Sequence, residues 1–243
     1  MMNKPIVLST GEWMFPVAVW AKDVKVLPRK DVRDEEIGSW AYVTKDEGKT
    51  FERRGRADIP DRSYDEHLFL EKKNGSLAVF VRTRYGVGTA LSKDGGYTWS
   101  EGKPSDIKGP CSRFYIGRLP SGRVLMVNHH RFTGRNNLTA FLSDDDGETW
   151  SHTLLLDERD QVSYPDVSLR GGDIYIVYDR ERGSGQYSMS AVLAQAREIL
   201  TAKITEEDIL AGKLVSKGSY LKHIASKLTE YKGKVNPFEE TSR

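Results

Sequence analysis

The sequence predicts an all-β chain built of repeated, blade-like sheets, and three observations carry the prediction. Short β-rich runs alternate with turns of Gly, Asp, Asn and Pro. One turn motif recurs at a period near 50 residues. Helical periodicity stays weak until late in the chain.

The β-rich runs come in order at residues 6–8, 16–20, 76–81, 123–127 and 173–178. Most follow a turn such as Lys73-Asn74-Gly75, Pro120-Ser121-Gly122 or Gly171-Gly172. Helices are expected at 191–200 and from Thr205 to Leu210, the second with Thr205 as N-cap and acids in its first turn. Beyond about residue 228 the chain turns polar and reads as a tail. The expected organisation is one propeller over residues 1–228 and a polar tail over 229–243.

The repeat selects among β architectures. Thr44-Lys45-Asp46-Glu47-Gly48-Lys49-Thr50-Phe51, Ser92-Lys93-Asp94-Gly95-Gly96-Tyr97-Thr98-Trp99 and Ser143-Asp144-Asp145-Asp146-Gly147-Glu148-Thr149-Trp150 share one form, Ser/Thr-x-Asp-x-Gly-x-Thr-aromatic. From Asp46 to Asp94 is 48 residues and from Asp94 to Asp145 is 51. Such a period with a strand–turn–strand signature is that of propeller blades. Asp and Ser/Thr side chains can bond the turn amides, Gly permits a left-handed backbone, and the aromatic is expected between neighbouring sheets.

Composition narrows the function classes. The chain has 243 residues, 37 Lys and Arg against 35 Asp and Glu, and a formal net charge of +2 with both signs mixed. No basic run or face points to nucleic acid, and no apolar stretch reaches the ~20 residues that span a bilayer. The opening apolar run is too short for a secretory signal, and the compartment stays open. The single cysteine, Cys111, can form neither an internal disulfide nor a Cys-based zinc site.

The three turn segments resemble the Asp-boxes, or BNR repeats, of the sialidase superfamily, whose six-bladed propeller carries its active site at the mouth of the central channel. The resemblance covers roughly residues 5–180. At ~50 residues per blade the chain supplies about four to five blades, so N-terminal blades are expected to be missing or the ring to close otherwise. An incomplete ring would expose a sheet face and an edge and favour a homo-oligomer.

A second set of residues follows the order the family uses. Asp65-Glu66-His67-Leu68 followed by Phe80-Val81-Arg82-Thr83 resembles the family's glutamate and second arginine, which implies that Glu66 activates a tyrosine and Arg82 binds a substrate carboxylate. Arg135, just upstream of the third Asp-box, resembles the third arginine. Tyr164, in Val162-Ser163-Tyr164-Pro165-Asp166, resembles the nucleophile, and Asp179 sits where the family has a glutamate that orients its first arginine. Planar guanidinium forks suit a carboxylate. A phenol with a reference pKa near 10 needs a base beside it, and a neutral phenol avoids repulsion from an anionic sugar. Sialidases are the tyrosine exception to the two-carboxylate rule of glycosidases.

The departures from the family are local. The first arginine and the general-acid aspartate have no counterpart in residues 1–40, where Asp23, Asp31, Arg29 and Arg33 are the only near candidates. Pro165 follows the tyrosine, and Asp179 is shorter than a glutamate. His129 and His130 point to opposite faces of a strand, which argues against a shared metal. His130 is expected to face the channel as a substrate-binding group, and Arg113 to join the pocket. Gly86-Val87-Gly88 precedes no helix and is not a phosphate loop. No cofactor or metal is called for. The resemblance implies a retaining glycoside hydrolase for a terminal acidic sugar, sialic acid or a uronic-acid type, on an oligosaccharide or glycoconjugate. The alternatives are a non-catalytic propeller module binding acidic glycans and an inactive fragment.

Overall fold

A computed structural model describes residues 3–20, 33–181 and 198–227. The strands fall into four antiparallel sheets, each running in chain order. The first holds β1 (Ile6–Val7), β2 (Trp13–Val19), β3 (Gly38–Thr44) and β4 (Glu52–Ala57). The second holds β5 (Arg62–Glu71), β6 (Leu77–Thr83), β7 (Gly86–Ser92) and β8 (Lys103–Pro104). The third holds β9 (Tyr115–Arg118), β10 (Val124–His129), β11 (Leu138–Ser143) and β12 (His152–Asp157). The fourth holds β13 (Val162–Arg170), β14 (Asp173–Arg180), β15 (Glu198–Ile204) and β16 (Tyr220–Lys227). This is a four-bladed propeller arrangement in which β2 adjoins β5, β5 adjoins β9, and β9 adjoins β13.

Strand alternation explains the stacking. Along β6, Leu77, Val79 and Val81 pack toward the first sheet with Met14, Val43 and Phe69, while Ala78 and Phe80 pack toward the third with Ile116, Met126 and Phe141. Both faces of this strand are therefore covered, and every residue from Leu77 to Thr83 is buried. The third and fourth sheets share Leu125, Leu142, Ile174, Ile176, Leu200 and Ile204. The outer faces differ. In β14, Tyr175 and Val177 are exposed between buried Ile174, Ile176 and Tyr178, and Trp13 of β2 is exposed beside buried Met14.

The three Asp-boxes are superimposable in their bonding. In the first, the Thr44 hydroxyl donates to Asp46 Oδ1 (2.8 Å) and accepts from the Gly48 amide (2.9 Å). Thr50 donates its amide to Oδ1 (2.9 Å) and its hydroxyl to Oδ2 of the same carboxylate (2.7 Å). Ser92, Asp94, Gly96 and Thr98 repeat the pattern, as do Ser143, Asp145, Gly147 and Thr149. The threonine bonds hold all three carboxyls down to about 2. Gly48, Gly96 and Gly147 have φ of +90°, +93° and +84°, which requires glycine at that turn position. Trp99 and Trp150 pack against the cores between adjacent sheets, as expected. Phe51 does not: it is 53% exposed and meets Phe15 edge-on.

The C-terminal expectation is half met. The helix α1 (Glu206–Ala211) is capped by Thr205, which accepts the Asp208 amide while Asp208 accepts the Thr205 amide, and Gly212 ends it at φ +65°. The expected helix at 191–200 is corrected: Glu198, Ile199 and Leu200 belong to β15, registered on Arg180, Asp179 and Tyr178 of β14. Pairing along β14 and burial of Leu200, Ala202 and Ile204 on the third sheet override helix propensity there. Residues 191–197 and the expected tail lie outside the described residues.

Candidate functional site

The site begins with two backbone irregularities. The pairing of β5 with β6 slips between Arg62 and His67, and that of β13 with β14 slips between Ser163 and Asp166. Within these bulges Tyr64 and Tyr164 take φ of +62° and +57°, a left-handed conformation uncommon for a bulky side chain. Pro165 fits here because a slipped register does not ask it for an N–H. Ser163 donates to Asp179 Oδ1 at 2.6 Å, so Asp179 fixes the residue just before Tyr164.

The two bulges and the neighbouring loops bring four of the expected residues together. Arg82, at the end of β6, and Glu66 on β5 are both nearly sealed from solvent, and Arg82 Nη1 donates to Glu66 Oε2 at 2.9 Å. The same nitrogen donates to the Tyr164 hydroxyl oxygen at 3.1 Å, and that hydroxyl lies 3.5 Å from Glu66 Oε1. Burial alone would lower the proton affinity of Arg82, but the Glu66 carboxylate outweighs it and the net shift is upward. Arg135, in the β10–β11 hairpin, sits with its guanidinium carbon 5.7 Å from the centre of the Tyr164 ring. The Cys111 carbonyl accepts from both arginines, at 3.2 Å from Arg82 Nη2 and 3.1 Å from Arg135 Nη2.

The other three expected residues make different contacts. Arg113 donates through Nε to Asn3 Oδ1 (2.6 Å) and stands 3.9 Å from Asp166. Asn3 in turn donates to the His67 carbonyl, so Asn3 ties the N-terminal segment to β5 and, through Arg113, to the segment before β9. His130 is exposed with its ring against the edge of Phe141. Asp179 serves Ser163, as described above. Of the near candidates for the first arginine and the acid, Asp23, Arg29 and Asp31 lie outside the described residues. Arg33 pairs with Glu35 and Glu36 in a 3-10 turn. Gly86-Val87-Gly88 opens β7.

His129 and Asn136 hold the loops in place. His129 is buried, and its Nδ1 lies 2.8 Å from the Asn136 carbonyl, which makes that nitrogen the protonated one. Asn136 donates to Thr133 Oγ1 (2.9 Å) and to Asp160 Oδ1 (3.0 Å), and the Val162 amide donates to the Arg135 carbonyl (3.0 Å). The hairpin carrying Arg135 is thereby bolted to the turn carrying Tyr164. Asn136→Ala removes the bonds to Thr133 and Asp160 and is expected to cost on the order of 1–3 kcal/mol of stability, measurable by denaturant titration against the parent chain. A usable sequence signal existed for Tyr64: Ser63-Tyr64-Asp65-Glu66 and Ser163-Tyr164-Pro165-Asp166 stand 100 residues apart, two blade periods.

Burial and then the nearby Arg135 charge bring the His129 imidazole down to about 4 from an ordinary 6.5, against the bond to Asn136. Between these values the unfolded chain binds the proton and the folded chain does not, so stability is full above about 6.5 and falls as pH drops toward about 4. The expected loss over that window is about 3 kcal/mol. Denaturant titrations from pH 7 to pH 4 check it, since His129→Gln should flatten the slope.

The same fold occurs in solved structures of low identity. A protein of unknown function from Dyadobacter fermentans is 20% identical with a TM-score of 0.53, over 72% of this chain and 48% of that one. The Hadza microbial sialidase Hz136 is 21% identical with a TM-score of 0.59, over 72% of this chain and 34% of that one. The NanB sialidase of Streptococcus pneumoniae is 17% identical with a TM-score of 0.55, over 72% of this chain and 26% of that one. The chain thus spans less than half the length of each, and the likeness is one of fold. None of the curated proteins matches. The Asp-box resemblance is borne out for the fold by these propellers, and residues 1–176 match the family described as BNR repeat-like domain, to which this chain belongs.

Proposed function

We propose that this propeller is a sialidase-like glycoside hydrolase that removes a terminal acidic sugar with retention of configuration, using Tyr164 as nucleophile. The observation that carries the reading is the Tyr164 hydroxyl held by a guanidinium and a carboxylate, 3.1 Å from Arg82 Nη1 and 3.5 Å from Glu66 Oε1. Glu66 takes the phenolic proton, and the Arg82 N–H stabilises the negative charge left on oxygen. The phenolate oxygen bonds to the anomeric carbon as the glycosidic C–O bond breaks. Water then attacks the same carbon and gives up a proton to solvent, while the protonated Glu66 returns its proton to the departing Tyr164 oxygen. The leaving oxygen takes its proton from solvent or from a group outside the described residues.

Arg135 is the better placed arginine for the substrate carboxylate, being half-buried beside the Tyr164 ring. Arg82 directs its Nη protons to Glu66, Tyr164 and Cys111, and joins a carboxylate only by exchanging one of them. That closed arrangement favours a second reading, a module that binds acidic glycans through Arg135 and turns nothing over. Aryl glycosides of sialic acid and uronic acids separate the two. Release of the aryl group from one of them supports the hydrolase. No release, together with calorimetric binding of the free acid sugar that Arg135→Ala abolishes, supports the module.

A further inference from the structure

We infer that Cys111 is a site of oxidative modification, whose sulfur oxyacid is held between Arg82 and Arg135 and keeps an acidic ligand out of the candidate site. The exclusion of ligand rests on the proposed function; the modification itself does not.

Cys111 lies half-buried in the segment between β8 and β9. Arg82 Nη2 donates to its carbonyl at 3.2 Å and reaches its Sγ at 3.6 Å, and Arg135 Nη2 donates to the same carbonyl at 3.1 Å. Two guanidinium groups therefore converge on this residue, and among the described residues one carboxylate, Glu66, pairs with them. Arg82 is 4% exposed, and its Nε is buried without a hydrogen-bond partner. In the planar guanidinium fork Nε–H shares an edge with Nη2, so this orphan donor lies on the edge turned to Cys111. A buried N–H without an acceptor is unfavourable. The thiol is too weak an acceptor to satisfy it, whereas an oxygen carried on Sγ is a strong one.

The oxidant is a hydroperoxide. Sγ attacks the nearer peroxide oxygen: the S–O bond forms, the O–O bond breaks, and the departing hydroxide takes the thiol proton and leaves as water. Sulfur gives up two electrons, the peroxide gains them, and Cys111 becomes a sulfenic acid. The Arg82 Nε–H stabilises the charge that builds on the departing oxygen. A second equivalent of peroxide repeats the exchange and gives a sulfinic acid, ionised at neutral pH. Its oxygens accept charge-assisted bonds from the two guanidinium groups. The anion then stands where Arg135 would meet a substrate carboxylate, and like charges exclude one another.

The test has two arms. In the first, the chain is treated with hydrogen peroxide and its Cys111 peptide is followed by mass mapping, which separates it from methionine oxidation elsewhere. Gain of oxygen on Cys111 is expected about tenfold faster in the folded chain than in the chain unfolded in urea, and Arg135→Gln is expected to slow it several-fold. In the second, sialic acid and glucuronic acid are titrated calorimetrically before and after treatment. The parent chain is expected to lose affinity at least about tenfold on oxidation. Cys111→Ser, or Cys111→Ala should the serine variant fail to fold, is expected to change little against its own untreated sample. Oxidation no faster in the folded chain than in the unfolded one overturns the proposal, as does an oxidised chain that binds the acid sugar as well as before. An untreated chain that binds neither acid removes the proposed function, and the ratio of folded to unfolded rates then decides the modification alone.

Discussion

With Tyr164 as the proposed nucleophile, Tyr164→Phe is expected to lower turnover of an acidic aryl glycoside by about 10³-fold or more, while the ligand still binds. The substitution removes one oxygen. It deletes the atom that would bond to the anomeric carbon and leaves the ring beside the Arg135 guanidinium, 5.7 Å away. Affinity for the free acid sugar is therefore expected to change by no more than about twofold. Glu66→Gln separates the base from the nucleophile: it should cut kcat while keeping the phenol. A binding module would show neither effect, because it has no turnover to lose.

Arg82→Met carries the largest expected loss of stability. The side chains of Arg82 and Glu66 are 5% and 3% exposed, and their contact is 2.9 Å. Removing the cation leaves a buried carboxylate without its guanidinium, a change that costs about 3–5 kcal/mol in buried pairs. For a domain of this size that lowers the melting temperature by roughly 10 °C. Arg82→Met combined with Glu66→Gln should recover part of the loss, since no uncompensated charge remains. Differential scanning calorimetry of the two variants beside the parent chain checks both statements.

Legibility in the sequence followed the range of the interaction. The Asp-boxes were readable because their chemistry closes within eight residues: Asp94 finds Ser92 and Thr98 on its own turn. The strands of the middle sheets were readable as apolar runs because both faces are covered. Residues 198–200 misled because their partners, Tyr178 to Arg180 on β14, lie about twenty residues away, and pairing decided the outcome. In the site, Glu66, Arg82, Arg135 and Tyr164 emerged from their order along the chain. The Cys111 carbonyl that holds both arginines is a backbone group and leaves no side-chain signature. Arg113 bonds Asn3, 110 residues distant, a contact that no local pattern reveals. Tyr64 was not singled out: the Ser63-Tyr64 and Ser163-Tyr164 pairs stand 100 residues apart, a repeat that becomes meaningful only once the blades are counted.

The central claim is that Tyr164 forms a bond to the sugar, and trapping that bond tests it most directly. A glycosyl fluoride of the acidic sugar found to turn over, bearing a second fluorine next to the anomeric centre, forms the glycosyl–enzyme quickly and releases it slowly. Peptide mass mapping of the labelled chain then locates the sugar. The account predicts one adduct, on the peptide containing Tyr164, and none in Tyr164→Phe. A label on any other residue, or steady turnover of the parent substrate with no covalent adduct at all, would contradict it.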